Sequence, residues 1–178
     1  ARMPEPDRRP TDFGALLKDV LLLQENGQPN VIFTLDLPNE KLWIDADSSM
    51  IGRAITNLLK NAGESIDEAL KKLPKHKGKI QVAAYQTDRS VVLKIVDNGT
   101  GLPEDRSRLL EPYVTNRQSG TGLGLSIVVK TIEEHDGTFL LSNAETFGDN
   151  ATRGAQALIK LPKLKQITAQ NVALGKTT

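Results

Sequence analysis

The apolar residues of this chain repeat with two periods, and the longer period predicts three helices. In three stretches they return every three or four positions, which places them on one face of a helix. Asp12 and Asp47 are suited to cap the first two stretches, and a glycine or a proline ends each of the three. The predicted helices cover residues 13–27, 48–73 and 123–134.

An alternating period at residues 31–37 and 41–44, together with four further segments that lie between turns, predicts strands. The predicted strands cover residues 31–37, 41–44, 80–85, 91–96, 138–142 and 156–161. We expect the first two to pair around Pro38-Asn39 and the next two to form an antiparallel hairpin. The basic residues 75–79 are expected to form a solvated loop. No period is sustained over residues 98–120, and an irregular segment of that length is usually functional or disordered.

Composition and charge narrow the function classes. The 178 residues contain 38% hydrophobic side chains, enough for one globular domain with a core of ordinary size. The 23 basic and 22 acidic residues nearly cancel, which gives no reason to expect nucleic-acid binding. Cysteine is absent, so disulfides, thiol nucleophiles and cysteine-ligated metals are excluded. The chain starts without a methionine, and we expect it to be a fragment of a longer protein.

The sequence Asp97-Asn98-Gly99-Thr100-Gly101 follows a strand rich in β-branched residues. Asp97 faces the same side as the alternate apolar residues before it, so its carboxylate is expected at the edge of an apolar layer. Such a sequence can be an ordinary turn. Alternatively, an ionised carboxylate, which only accepts hydrogen bonds, would accept one from the exocyclic amine of adenine and reject guanine.

A second glycine-rich sequence, Gly120-Thr121-Gly122-Leu123-Gly124-Leu125, opens the last predicted helix. Backbone N–H groups at a helix N-terminus bind phosphate oxygens, although glycine-rich turns before helices also occur as simple punctuation. The loop lacks the Gly-Lys-Ser/Thr ending of a Walker loop, and no strand runs directly into it as in a dinucleotide-binding fold. Both of those nucleotide folds are therefore disfavoured.

Two asparagines, Asn57 and Asn61, lie four residues apart on the long helix and therefore share one face of it. They border the apolar stripe, where amides are costly unless they have partners. They could form a polar stripe at the solvent edge, or their oxygens could hold a Mg²⁺ ion that bridges phosphate groups. Arg117 is a candidate contact to the terminal phosphate, although an arginine on a loop is more commonly solvated.

In this order and spacing, the three elements resemble the catalytic ATP-binding domain of bacterial sensor histidine kinases. They are similar to the family's asparagine box and two glycine boxes, and residues 110–113 resemble its aromatic box. The resemblance covers residues 31–162 and is greatest to the NtrY-type nitrogen-regulation sensor kinases. It implies an α/β fold, the two-layer Bergerat sandwich, in which helices cover one face of a mixed, mostly antiparallel sheet and a lid covers ATP.

The resemblance also implies roles for individual residues. Asp97 would contact adenine, and Asn61 and Asn57 would support Mg²⁺ and catalysis. The residues implied to shape the ATP pocket and its lid are Asn61, Asp97, Gly99, Gly101, Tyr113, Thr115, Gly120, Thr121, Gly122, Leu123, Gly124 and Leu125. The sequence departs from the family pattern at two places. Leu110 and Tyr113 replace phenylalanines of the aromatic box. Gly63-Glu64-Ser65 replaces a lysine and an aromatic residue that many relatives have after the asparagine box.

The implied activity is transfer of the γ-phosphoryl group of ATP to a histidine on a dimerisation domain absent from this chain, for relay to a response regulator. Gyrase-like ATPases typically have a water-activating glutamate at the position of Asn57, so slow hydrolysis is expected here. The alternatives are a non-catalytic nucleotide-sensing or partner-binding module and, with less support, an ATPase of the same fold.

The resemblance further implies a monomeric, cytoplasmic domain of a membrane-anchored parent, one that does not phosphorylate itself. The predicted division of the chain has three parts. They are a lead segment with the first helix at 1–30, the catalytic domain at 31–163 and a flexible tail at 164–178.

Overall fold

The computed structural model describes residues 4–104, 124–145 and 153–165. Within these ranges the helices and strands, in chain order, are β1 Arg9–Asp12, α1 Phe13–Gly27, β2 Val31–Asp36, β3 Trp43–Ala46, α2 Ser48–Lys72, β4 Gly78–Gln86, β5 Ser90–Asp97, α3 Gly124–Glu134, β6 Thr138–Asn143 and β7 Ala155–Pro162. All three predicted helices are confirmed, because the caps and breakers that bound them are local features of the sequence.

Five of the strands form the main sheet, in the order β2-β4-β5-β7-β6. β2 is parallel to β4 and the other neighbours are antiparallel, so the predicted mixed sheet is confirmed. The predicted hairpin is also confirmed, because β4 pairs with β5 and places Ile80 opposite Asp97. Burial alternates along β4, with Ile80 and Val82 in the core and Gln81 exposed. The helices therefore cover one face of the sheet.

The predicted pairing of residues 31–37 with residues 41–44 is wrong. β2 pairs with β4 in the main sheet, whereas β3 pairs with β1 in a separate two-stranded sheet. Alternating apolar and polar residues determine which side chains face the core, but they do not determine which strand supplies the hydrogen bonds. β1 is absent from the prediction because Pro10 interrupts it, and a proline is tolerated in an edge strand such as this one.

The N-terminus of α2 is a junction between three parts of the chain. The Asp47 carboxylate accepts hydrogen bonds of 3.1 Å from the backbone N–H groups of Ser49, Met50 and Asp7. Burial by itself would raise the pKa of Asp47, but these hydrogen bonds outweigh it and lower the pKa below its ordinary 3.8. The Asp47 backbone N–H donates to Nε2 of the buried His135 at 3.0 Å, which joins α2 to the end of α3.

α2 lies at the centre of the core. Its buried apolar side chains, among them Ile55, Leu59 and Ile66, pack with the inward-facing residues of the sheet. α1 contributes Phe13 and Leu17 to the same cluster. The division of the chain at residues 30 and 163 stays a prediction. None of the helices that the structure describes is long and apolar enough to cross a membrane.

Candidate nucleotide site

Asp97 is the last residue of β5, and only 5% of it is exposed. Its Oδ1 accepts hydrogen bonds from the backbone N–H of Gly99 at 2.9 Å and from that of Ala155 at 3.3 Å. One donor belongs to the following turn and the other to the start of β7, so the carboxylate is oriented from two directions. Its predicted position at the edge of the apolar layer is confirmed.

The glycines of the turn after Asp97 are packed too closely for side chains. A Cβ atom built on Gly99 would lie 2.7 Å from Cβ of Ser65, well inside van der Waals contact. Gly101 has a φ of +80°, a conformation that favours glycine, and it packs against the carbonyl oxygen of Arg153. The turn is therefore pressed between α2 on one side and the segment before β7 on the other.

Ser65 of α2 also holds this turn through its hydroxyl group. Ser65 Oγ accepts a hydrogen bond from the Thr100 backbone N–H at 3.0 Å, and it lies 3.2 Å from Thr100 Oγ1. Only 4% of Ser65 is exposed, Thr100 is half-buried, and the contact between them is partly buried. This hydrogen bond joins the turn to the helix, and a net hydrogen bond of this kind stabilises a fold by about 1 kcal/mol.

One helical turn earlier on α2, Asn61 lies beside the first residue of α3. A Cβ atom built on Gly124 would be 3.7 Å from Asn61 Nδ2 and 3.9 Å from Asn61 Oδ1. Asn61 and Ser65 are four residues apart, which corresponds to about 6 Å along a helix axis. α2 therefore brings the turn after β5 and the N-terminus of α3 together, although they are distant in the sequence.

Asn57 and Asn61 are both half-buried. Neither side chain forms a hydrogen bond with another residue that the structure describes. Over 4–104, 124–145 and 153–165 there is also no group of three or more His, Cys, Asp or Glu side chains able to hold a metal ion.

Several predicted site residues lie outside the described residues, so their roles stay predictions. These residues are Tyr113, Thr115, Arg117, Gly120, Thr121, Gly122 and Leu123. Leu125 is described, and it packs against the core as part of α3.

The family model of histidine kinase-, DNA gyrase B- and HSP90-like ATPases matches residues 46–165. The chain belongs to this ATPase family. The matched segment starts at the end of β3 and extends past β7, so it contains Asn57, Asn61, Asp97 and both glycine-rich sequences. Asn61, Ser65 and the two segments that they contact, the turn after β5 and the start of α3, thus lie inside the matched region.

Within this ATPase family, the chain is similar to individual sensor kinases. The chain is 43% identical over 145 residues to nitrogen regulation protein NtrY of Azorhizobium caulinodans, covering 81% of this chain. The chain spans only 18% of the length of that relative. Among solved structures, the catalytic domain of histidine kinase ThkA has a TM-score of 0.72 and 27% identity, covering 88% of this chain and 96% of that one.

A second solved structure supports the same assignment. The mycobacterial sensor histidine kinase MprB has a TM-score of 0.73 at 25% identity, covering 88% of this chain and 97% of that one. The predicted resemblance to sensor histidine kinase catalytic domains and the predicted Bergerat fold are therefore confirmed.

Three residues that contact Asp97 or the turn after it are not among the predicted site residues. They are Ser65, His76 and Gly154. Ser65 lies four residues after Asn61, so the helical spacing that relates the two asparagines also leads to it. Gly154 gives no such signal, because its proximity to Asp97 depends on the pairing of β5 with β7.

Proposed function

We propose that this domain binds ATP with Mg²⁺ and transfers the γ-phosphoryl group to a histidine on a dimerisation domain outside this chain. From that histidine the phosphoryl group passes to a response regulator, in a two-component pathway of the nitrogen-regulation type. In the same proposal, the domain is a monomer by itself and works on the cytoplasmic side of a membrane-anchored parent.

One observation carries this proposal. Through Asn61 and Ser65, α2 joins the N-terminus of α3 to the turn after Asp97. The buried carboxylate offers an acceptor for the amine of adenine, and the first N–H groups of a helix are suited to phosphate oxygens. A nucleotide with an adenine base carries both of these groups on one molecule.

The two asparagines of α2 supply the chemistry expected of a magnesium site. Their amide oxygens are hard ligands, and Asn57 and Asn61 would hold Mg²⁺ from one face of the helix. Bound Mg²⁺ would offset the negative charge of the phosphates. Asn57 provides no carboxylate to activate water, so hydrolysis is expected to be slow, and phosphoryl transfer then depends on positioning and charge stabilisation.

The contacts of the two histidines in this chain indicate that the histidine that accepts the phosphoryl group lies elsewhere. Only 1% of His135 is exposed, and its Nδ1 lies 2.7 Å from the Thr131 carbonyl oxygen while its Nε2 accepts from Asp47. His76 contacts the Asn98 carbonyl oxygen through Nε2 at 2.8 Å. Because both rings already serve structural contacts, we expect neither to receive the phosphoryl group.

A transfer assay tests the proposal. The chain is incubated with radiolabelled ATP and Mg²⁺, with and without a separately purified fragment of the parent that carries the acceptor histidine. We expect acid-labile label on the fragment alone, and only when Mg²⁺ is present. Asn61→Ala should strongly reduce this labelling, whereas the matched control Lys60→Ala, at an exposed position of the same helix, should not.

Other outcomes of the assay distinguish the remaining functions. Stoichiometric label on this chain itself would contradict the proposal. A folded chain that neither binds ATP nor labels the fragment would favour a non-catalytic partner-binding module. Steady-state release of phosphate that Asn57→Ala abolishes would indicate an ATPase instead.

A further inference from the structure

Asn98, which directly follows Asp97, is held by the loop between α2 and β4 and by the start of β4. Its side chain is fully buried, with Oδ1 accepting from the Lys79 N–H at 2.7 Å and Nδ2 donating to the Lys77 carbonyl oxygen at 2.8 Å. The Asn98 N–H also donates to the Lys79 carbonyl oxygen at 3.2 Å. The prediction of a solvated loop at 75–79 is therefore wrong in part, because Gly78 and Lys79 belong to β4 and the Lys77 carbonyl oxygen accepts from Asn98.

His76 of the same loop contacts the Asn98 main chain. Its Nε2 lies 2.8 Å from the Asn98 carbonyl oxygen. A carbonyl oxygen can only accept a hydrogen bond, so Nε2 must carry the proton. The neutral Nε2–H tautomer and the imidazolium ion both meet this requirement, and the contact therefore persists whichever charge the ring has.

We propose that His76 is a positioning residue for nucleotide recognition, one that orients the Asp97 carboxylate toward the base. The inference rests on the proposed function, because it assigns His76 a part in adenine selection at that site.

The link between His76 and Asp97 is a single peptide group. The Asn98 carbonyl and the Gly99 N–H belong to one planar unit, in which the two groups point in opposite directions. His76 donates to the oxygen of this peptide group, and the Gly99 N–H of the same group donates to Asp97 Oδ1 at 2.9 Å. Holding the oxygen therefore fixes the direction of the N–H, and the first hydrogen bond polarises the second.

Loss of the His76 donor should act on base selection more than on nucleotide binding in general. Without it the peptide group loses one of the contacts that hold it, and the Gly99 N–H is fixed less firmly as a donor to the Asp97 carboxylate. Adenine depends on the direction of this carboxylate, whereas the phosphates do not. If His76 only stabilised the fold, its replacement would instead weaken the binding of all nucleotides by the same factor.

The test compares variants that differ in the donor at position 76. His76→Leu and His76→Ala remove the donor, His76→Gln offers an amide N–H in its place, and Lys75→Ala is the matched control at an exposed position of the same loop. Calorimetry gives the Kd of each variant for ATP and for inosine triphosphate, which carries a carbonyl group where adenine carries its amine. Thermal unfolding followed by circular dichroism confirms that each variant is folded at the titration temperature.

We expect the donor-free variants to bind ATP about three- to tenfold more weakly, the range that corresponds to one net hydrogen bond. Their affinity for inosine triphosphate should change little, so the selectivity for ATP falls by the same factor. His76→Gln should restore much of it, and Lys75→Ala should match the wild type. Equal weakening of both nucleotides, or unchanged selectivity in folded variants, would overturn the inference. Failure of the wild type to bind ATP would instead overturn the proposed function, and the inference with it.

Discussion

Replacing Gly154 with alanine perturbs Asp97 directly. A Cβ atom built on Gly154 would lie 2.5 Å from the Asp97 carbonyl carbon and 2.8 Å from Oδ1, and closer still to the Asp97 carbonyl oxygen. Most of the atoms in its way belong to the main chain, so a change of rotamer cannot relieve the overlap. Either the start of β7 or the end of β5 has to move, and the Ala155 hydrogen bond to Asp97 is strained or lost.

The loss of stability in Gly154→Ala can be estimated from the packing around Gly154. Extra methyl groups in a tightly packed site typically cost about 1–3 kcal/mol, and a clash with rigid backbone belongs at the upper end of that range. For a chain of this size, each kcal/mol lowers Tm by roughly 2–4 °C. We therefore expect Gly154→Ala to lower Tm by about 6–12 °C and to weaken ATP binding as well.

Gly27→Ala is the matched control. Gly27 is the last residue of α1, and a Cβ atom there would meet no atom within 4 Å. Alanine is favoured over glycine in a helix by up to about 1 kcal/mol, so this variant should melt at the wild-type temperature or slightly above it. Thermal unfolding followed by circular dichroism measures the Tm of both variants. If Gly154→Ala melted within about 1 °C of Gly27→Ala, the close packing of Gly154 on Asp97 would be refuted.

Two further predictions concern α2. Asp47→Ala should destabilise the domain by about 0.5–2 kcal/mol, the typical value of an N-cap, as chemical denaturation at pH 7 would measure. Because the folded-state pKa of Asp47 is lowered, its carboxylate stabilises the fold above pH 4 or so and less as the pH falls. The stabilities of wild type and variant should thus converge in acid, and a constant difference down to about pH 2 would contradict this reasoning. Ser65→Ala leaves the partly buried Thr100 N–H without its acceptor and should destabilise the domain by about 0.5–1.5 kcal/mol. An unchanged denaturation midpoint would show that the Ser65 hydroxyl does not hold the turn.

The elements of this fold that the sequence predicts correctly are those with local causes. The helices follow from the caps Asp12 and Asp47 and from the apolar spacing between them and the next breaker. The hairpin of β4 and β5 follows from two largely apolar segments joined by a short turn. The partner of β2 has no local cause, because β4 lies on the far side of β3 and α2 in the sequence. Strand pairing of this kind depends on how the whole chain packs.

The same distinction applies to the candidate site. Asp97 and the two asparagines are visible in the sequence, because two asparagines four residues apart on one helix occur together with the two glycine-rich sequences in an order that resembles a known family. The groups that hold them in place are ordinary residues whose importance depends on contact. His76 lies among lysines, and Gly154 precedes a strand, so neither stands out before β5 is paired with its neighbours.

The central claim is that the buried carboxylate of Asp97 selects adenine, and calorimetric titration with ATP and GTP in Mg²⁺ tests it most directly. The variant for comparison is Asp97→Asn, since its amide oxygen can still accept from Gly99 and Ala155 while its NH₂ group faces the amine of adenine with another donor. We predict that the wild type binds ATP in preference to GTP. The variant should stay folded and lose about 10- to 100-fold in ATP affinity, the value of a hydrogen bond to a charged group. A folded wild type without ATP binding, or a variant that binds ATP as tightly as the wild type, would contradict the claim.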